Sequence, residues 1–350
     1  MTERVRVGVV GATGYTGAEL LRLLLGHPHA EIQAVVGHSK AGEPVSSVLP
    51  SFRGRLDGKV EAFDAASLAE RTDVCFLALP HGASAQTARA LRAEGVVVMD
   101  LSADFRLRDP ATYKTWYGEH AAPELLASAV YGLVELARED LRTADLVAVA
   151  GCYPTASTLA AAPLLHAKLA DPQSIIIDAK SGVSGAGRSP SPSTQFSETA
   201  EGLRAYKTGG THRHVPEIEQ TLSAVASETV RVTFTPHLVP MTRGILATVY
   251  ATPARSGVTA EEATAAASKL YAGSPSVTVL DPGTNPDTAW VRGSNRAFVS
   301  YGVDARTGRI VGQSVIDNLV KGAAGQAIQC MNVRFGFDEG AGLGAVAVWP

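Results

Sequence analysis

The chain has 350 residues, 45% hydrophobic and 19% charged, with a formal net charge of −3. That composition excludes a disordered chain, and the absence of a long basic run excludes a nucleic-acid binder. No apolar stretch reaches the roughly 18 residues of a membrane span, the N-terminus opens on a strand rather than a signal peptide, and the length suits two domains.

Residues 5–11 read as a buried strand that breaks into Gly11-Ala12-Thr13-Gly14-Tyr15-Thr16-Gly17, with a helix predicted over 18–26. The spacing G-x-x-G-x-x-G departs from G-x-G-x-x-G, yet a strand precedes it and a helix follows. That context predicts a dinucleotide turn in which Gly11, Thr13, Gly14, Tyr15, Thr16 and Gly17 approach a pyrophosphate. The next strand, 31–36, should end at the adenosine ribose. There the chain has Gly37-His38-Ser39-Lys40 and no carboxylate for a 2′-hydroxyl. The hydroxyl of Ser39 and the ammonium of Lys40 suit a 2′-phosphate, so NADP is expected over NAD; the alternative is a solvated loop with an incidental lysine. Strands follow at 73–79 and 96–100, with a helix over 83–93 between them. The loops after parallel strands line the ligand crevice, which places His81, Gly82, Ser102 and Arg106 on one edge with the glycine turn. Arg106 could clamp a phosphate there, or pair with Asp104 or Asp109.

A strand over 144–150 ends in Gly151-Cys152, and Pro154 is expected to open a helix running to about residue 169. The sulfur then sits at a helix N-terminus, which favours the thiolate and suggests covalent catalysis; the bland alternative is a small buried hydrophobe. Cys75 and Cys330 read as core, and three scattered cysteines fit a reducing, cytoplasmic compartment. After a strand at 174–179, a Ser/Pro/Gly-rich stretch from Ser181 to Gly210 reads as a long functional loop. It leads into Thr211-His212-Arg213-His214-Val215-Pro216-Glu217, where Pro216 starts a helix. Two histidines and a glutamate suggest general-base chemistry with Glu217 orienting one imidazole, although a helix dipole would also place Glu217 there. No further ligand cluster supports a metal at His212, His214 and Glu217, and none is expected. Strands at 230–236, 245–250, 277–280, 297–303 and 309–313, with a helix over 259–272, suggest an α+β unit with a mixed or antiparallel sheet. A last helix over 317–333 is placed back on the first domain. The fold expected is α/β: a Rossmann-type doubly wound parallel sheet (1–151 and 314–350) plus an α+β catalytic and oligomerisation domain with a mixed sheet (152–313).

Five runs carry a resemblance to a family: residues 11–17, Gly151-Cys152-Tyr153-Pro154-Thr155, Ser181-Gly182-Val183-Ser184-Gly185-Ala186-Gly187-Arg188, 212–217 and Asp317-Asn318-Leu319-Val320-Lys321-Gly322. The chain resembles the N-acetyl-gamma-glutamyl-phosphate reductases of the semialdehyde dehydrogenase superfamily over nearly its whole length. One departure is Ala150, where the family usually has proline before Gly-Cys; it bears on loop rigidity, not on the nucleophile. The resemblance implies NADPH-dependent reduction of an acyl phosphate through a Cys152 thioester, in arginine biosynthesis. It implies His214 as acid/base with Glu217 orienting it and His212 as runner-up. It implies His81, Ser102, Ser184, Gly185, Gly187 and Asn318 as further cofactor contacts, with Asn318 near the nicotinamide. Arg106, Tyr153, Arg188 and His212 are the substrate candidates, and a homodimer or homotetramer is expected. Two relatives remain open, one reducing a carrier-protein-bound aminoadipyl phosphate and one an aspartate-semialdehyde dehydrogenase. A non-catalytic NADP-binding sensor is the reading from outside enzymology.

Overall fold

The computed structural model describes residues 4–348. The chain forms two compact units, one built from the residues up to Gly151 together with Ala323–Gly344, the other from Cys152–Gly322 and the residues from Ala345 onward.

The first unit runs β1 (Val5–Val10), α1 (Tyr15–Leu24), β2 (Ala30–Val36), α2 (Val45–Val48), α3 (Ala65–Arg71), β3 (Val74–Leu77), α4 (Ser84–Ala93), β4 (Val97–Asp100), α5 (Pro110–Tyr117), β5 (Val130–Gly132), α6 (Val134–Leu141) and β6 (Leu146–Val149). Its strands make one parallel sheet in the order β2-β1-β3-β4-β6-β5. A parallel sheet covered on both faces needs strands that are apolar throughout, and every residue of β3 and β6 is buried. The chain leaves β1 for β2 on one side and returns to β3 on the other. The carboxyl ends of β1 and β3 therefore form the switch point where a doubly wound sheet opens its ligand crevice.

The second unit runs α7 (Cys152–His166), β7 (Ile175–Gly182), α8 (Phe196–Thr199), β8 (Arg204–Ala205), α9 (Val215–Ala226), β9 (Val232–Val239), β10 (Ile245–Ala251), α10 (Ala260–Leu270), β11 (Val277–Val279), β12 (Ala297–Val303) and β13 (Ile310–Ile316). Its mixed sheet has the order β11-β12-β13-β10-β7-β9-β8, with parallel pairs only at β11/β12 and β7/β9. On β7, Ile175, Ile177 and Ala179 are buried whereas Ile176, Asp178 and Lys180 alternate toward solvent, the period-2 pattern of a sheet with one covered face. The apolar helix α7 packs on β7, β10 and β13. Pro163 interrupts it, removing the N–H that the Leu159 carbonyl would accept. Tyr271 repairs the gap by donating to the Leu159 carbonyl at 2.8 Å, and Tyr301 donates to the next carbonyl, that of Ala160, at 3.1 Å. The final helix, α11 (Gly325–Arg334), belongs to the first unit, where it packs against β4, β5, β6, α1 and α6 and is buried from Gly325 to Val333.

The expected fold class is the one observed, and the differences are local. Helices α1 and α7 begin at Tyr15 and Cys152 rather than at residues 18 and 154, because Gly14 and Gly151 are the last non-helical positions. The stretch 182–210 is not structureless: it holds 3₁₀ turns at Val183–Ala186 and Pro192–Thr194, then α8 and β8. Elements α2, α3, α5, β5 and α6 are unanticipated in the sequence. The second crossing between units falls after Gly322 rather than after residue 313, since β13 extends to Ile316 and Asp317 is tied into the second unit by Arg243. Between β13 and α11 lies a π turn, Val320–Ala324.

Candidate active site

In the first unit the glycine turn is dictated by close approach of backbone. Gly11 has φ +82°, and a Cβ there would lie 2.3 Å from the Ala78 carbonyl oxygen. A Cβ on Gly17 would lie 2.4 Å from the Gly11 oxygen and 2.6 Å from Ala12 Cα. Neither neighbour can yield, being backbone. Gly14 caps α1 without a side chain, and no acid stands in the first turn, so the amide dipoles of Tyr15 and Thr16 suit an anion. A turn held tight against the backbone by Gly11 and Gly17, with a helix end open to negative charge, fits a dinucleotide pyrophosphate; Thr13 lies against Gly37.

Ser39 and Lys40 are exposed after β2. Lys40 Nζ meets Glu43 Oε1 at 3.1 Å with both side chains about half exposed, a bridge weak enough to give way to a phosphate. His81 faces the Tyr117 ring edge-on at 5.7 Å. Ser102 is buried, its hydroxyl donating to Asp100 Oδ2 at 2.7 Å, and Ser84 donates to Asp100 Oδ1 at 2.5 Å. Burial pushes the Asp100 carboxyl up to about 6 despite these donors. Arg106 binds backbone at two strand ends. Its Nε donates to the Val149 carbonyl at 2.8 Å and its Nη2 to that of Leu101 at 2.7 Å, so the buried guanidinium ties the ends of β4 and β6 together.

In the second unit Cys152 is the first residue of α7 and only partly buried. Tyr153, next to it, is the surface on which the histidines assemble. Its ring lies 5.7 Å from that of His212, 6.0 Å from that of His214 and 5.4 Å from that of Phe234. Its hydroxyl donates to the His237 carbonyl at 2.9 Å and accepts from Tyr206 at 3.3 Å. Burial drives the Tyr153 hydroxyl far above the usual phenol range and that of Tyr206 to about 12, so both stay protonated. His214 precedes α9 as its cap residue, and the buried Glu217 stands in the first turn of that helix. The two imidazoles are 4.9 Å apart.

His212 Nδ1 accepts the His214 backbone N–H at 3.1 Å, which leaves the ring proton on Nε2. Burial, reinforced by the nearby His214, lowers the His212 pKa from 6.5 to about 3. The unfolded chain takes up that proton near pH 6.5, the folded one only near 3, so the unfolded state binds more protons between those values. Stability conferred by neutral His212 is therefore present above pH 6.5 and lost as pH falls toward 3, with a slope of at most about 1.4 kcal/mol per pH unit. Denaturant melts of the wild type and His212→Leu between pH 7 and 4 should show a flatter fall for the variant. Parallel slopes would refute this account of the histidine.

Ser184, Gly185 and Asn318 also come together in this unit. Asn318 is buried; its Nδ2 donates to Ser184 Oγ at 2.9 Å, and its Oδ1 accepts from Gly244 N at 2.8 Å. A Cβ on Gly185 would lie 3.6 Å from Asn318 Nδ2. Gly187, with φ +87°, closes the 3₁₀ turn, and Arg188 follows on the surface. The sequence reading missed the support beneath this group. Arg243 Nε meets the wholly buried Asp317 at 2.9 Å, and Asp317 also accepts from Leu319 N at 2.8 Å and Gly293 N at 2.7 Å. No sequence pattern links an arginine and an aspartate 74 positions apart. Downstream, the π turn reaches Cys152: a Cβ on Gly322 would lie 2.8 Å from its Cβ. Among the described residues no group of three or more His, Cys, Asp or Glu gathers as a metal site.

Residues 6–144 match the family model of the semialdehyde dehydrogenase NAD binding domain, and residues 152–318 that of the semialdehyde dehydrogenase dimerisation domain. The chain is 50% identical over 346 residues to an N-acetyl-gamma-glutamyl-phosphate reductase of Citrifermentans bemidjiense, covering 99% of this chain and 100% of that one. It is 50% identical over 347 residues, with the same coverage, to a reductase of that name from Desulforudis audaxviator. Among solved structures it is similar to aspartate semialdehyde dehydrogenase II of Vibrio cholerae, with a TM-score of 0.71 at 18% identity over 95% of this chain and 98% of that one. The aspartate semialdehyde dehydrogenase of Candida albicans, solved with NADP, gives 0.68 at 16% identity over 95% and 98%.

Proposed function

The chain belongs to the semialdehyde dehydrogenase family, among its N-acetyl-gamma-glutamyl-phosphate reductases, and from that membership we propose that it reduces N-acetyl-glutamyl 5-phosphate to N-acetyl-glutamate 5-semialdehyde with NADPH, releasing phosphate, in arginine biosynthesis. The observation that carries the reading is Cys152 at the head of α7, with Tyr153 behind it bearing both imidazoles.

The Cys152 thiolate attacks the acyl carbon, the carbonyl oxygen takes up negative charge, and phosphate leaves as the thioester forms. The first turn of α7 offers backbone N–H groups to that oxyanion. The glycine turn from Gly11 to Gly17, Ser39 and Lys40, and Ser184, Gly185, Gly187 and Asn318 would hold NADPH, which would supply the hydride that reduces the thioester. His214 moves the proton: it protonates the oxygen as the hydride-reduced carbon forms and withdraws that proton as the C–S bond breaks, returning the thiolate and the aldehyde. Its neighbour His212, held down to about 3 by burial, is too weak a base for this near neutral pH, which favours His214. Glu217, in the first turn of α9, orients the His214 segment. Arg106 and Arg188 contribute positive charge for the departing phosphate, and Tyr153 walls the acyl chain.

The reductase reading is preferred to aspartate-semialdehyde dehydrogenase because full-length identity to the reductases is 50%, against 18% to the Vibrio cholerae aspartate enzyme. We assign a homodimer or homotetramer, supported by the dimerisation-domain match over 152–318 and by the half-exposed face of β7. A cytoplasmic setting is supported by three cysteines that form no disulfide among the described residues.

The convenient test is the reverse reaction. N-acetyl-glutamate 5-semialdehyde, phosphate and NADP should yield NADPH with kcat/KM about 10- to 100-fold above that for aspartate semialdehyde, since an unmatched buried polar group costs about 1–3 kcal/mol. NADP should outperform NAD. Comparable efficiency on aspartate semialdehyde, or turnover only of a carrier-linked substrate, overturns the assignment.

A further inference from the structure

Helices α1 and α4 both start at the carboxyl edge of the parallel sheet, after the neighbouring strands β1 and β3. Either N-terminus could attract a phosphate, yet a dinucleotide carries one pyrophosphate. The two ends are furnished differently. At α1 the cap is Gly14, with no side-chain bond and no acid in the first turn. At α4 two amides around the N-terminus are already taken: Asp104, from the loop after β4, accepts from Gly82 N at 2.7 Å and from Ala85 N, in the first turn, at 2.9 Å. The Tyr113 hydroxyl adds a third donor at 3.1 Å, and the carboxylate is wholly buried. The backbone of Asp104 is fixed as well. Its N–H donates to Ser102 Oγ at 3.0 Å, and its carbonyl accepts from His120 Nε2 at 2.6 Å, the other ring nitrogen of His120 being the acceptor for Ala122 N at 2.9 Å. Ser102 and Ser84 in turn hold Asp100, so the loops after β3 and β4 are cross-braced through two carboxylates.

We propose that Asp104 is a positioning residue, a built-in anion that closes the N-terminus of α4 and confines the cofactor pyrophosphate to the glycine turn before α1. The proposal rests on the cofactor reading above. Its physical basis is that the Asp104 carboxylate satisfies the same amide donors and helix dipole that would otherwise draw a phosphate to the wrong side of the switch point. The same clamp holds His81-Gly82 against the Ser102 loop.

The test compares the wild type with Asp104→Asn and Asp104→Ala, each saturated with NADPH so that the glycine turn is occupied, and then titrated with inorganic pyrophosphate. The variants should gain about 2 °C or more in melting temperature from pyrophosphate where the wild type gains nothing, and their NADPH dissociation constant should rise about tenfold. Loss of packing alone would produce no anion response. Variants that show neither the anion response nor weaker NADPH binding overturn the proposal. Should neither variant fold, hydrogen exchange on the wild type decides: NADPH should protect the peptide spanning 11–18 and leave 83–88 unchanged, and equal new protection of both overturns it. Neither arm uses an acyl phosphate, so a failed turnover assay and a failed role for Asp104 are told apart.

Discussion

Cys152→Ser abolishes turnover, by more than about 10³-fold, while the NADPH dissociation constant stays within about twofold. A serine hydroxyl at the head of α7 is hardly ionised at neutral pH, whereas the helix N-terminus, with no acid in its first turn, favours the thiolate of a cysteine. Nothing else at the position changes, since the two side chains differ by one atom and the residue is only partly buried. Steady-state turnover of N-acetyl-glutamate 5-semialdehyde, paired with NADPH fluorescence titration, reads both quantities. Turnover within tenfold of wild type would remove the covalent step, and a lost cofactor site would mean that Cys152 supports folding rather than chemistry.

Gly322→Ala should lower kcat by about 10²-fold without touching the cofactor turn. The added methyl would lie 2.8 Å from Cys152 Cβ and 3.1 Å from its Cα. Two rigid pieces meet there. The π turn is pinned by Asp317, whose carbonyl accepts from Gly322 N at 2.9 Å and whose carboxylate accepts from Leu319 N at 2.8 Å. Opposite it, α7 is buried from Tyr153 to Leu165. Cys152 has to move by some tenths of an ångström, and overpacking costs about 1–3 kcal/mol of stability. The rate of iodoacetamide reaction at Cys152 should change together with kcat. Wild-type kcat in the alanine variant would show that the π turn does not position the sulfur.

What could be read ahead of the structure follows the physics of each segment. The glycine turn and the cysteine helix were legible because strand, breaker and helix are adjacent in the chain, and so were the strands of the parallel sheet, whose apolar runs need no partner to be recognised. The grouping of Ser184, Gly185 and Asn318 was implied only by family likeness. Their meeting depends on Arg243 and Asp317, which stand far apart in sequence. The π turn was invisible, since its five-residue hydrogen bond leaves no mark on a 3.6-residue apolar period that continues through Val320, Ala324 and Ile328. The residues around Arg106 suggest a phosphate clamp or an ion-pair partner. The arginine's use of two backbone carbonyls could not be foreseen, because every strand end supplies carbonyls without announcing them in the sequence.

The return of α11 to the first unit has a consequence for how the protein is made. Synthesis delivers β1 through β6 first, but the helix that covers β4, β5 and β6 lies beyond the whole of the second unit. Residues 152–322, the whole of the second unit apart from the few residues from Ala345 onward, are by contrast contiguous. On the ribosome the usual order, N-terminal domain first, is therefore inverted. The unit that bears Cys152 can close over most of its length while the parallel sheet of the first unit still waits with an apolar face uncovered. That face is guarded only when residue 334 emerges, so the nascent chain is most exposed to aggregation or chaperone capture late in its synthesis rather than early.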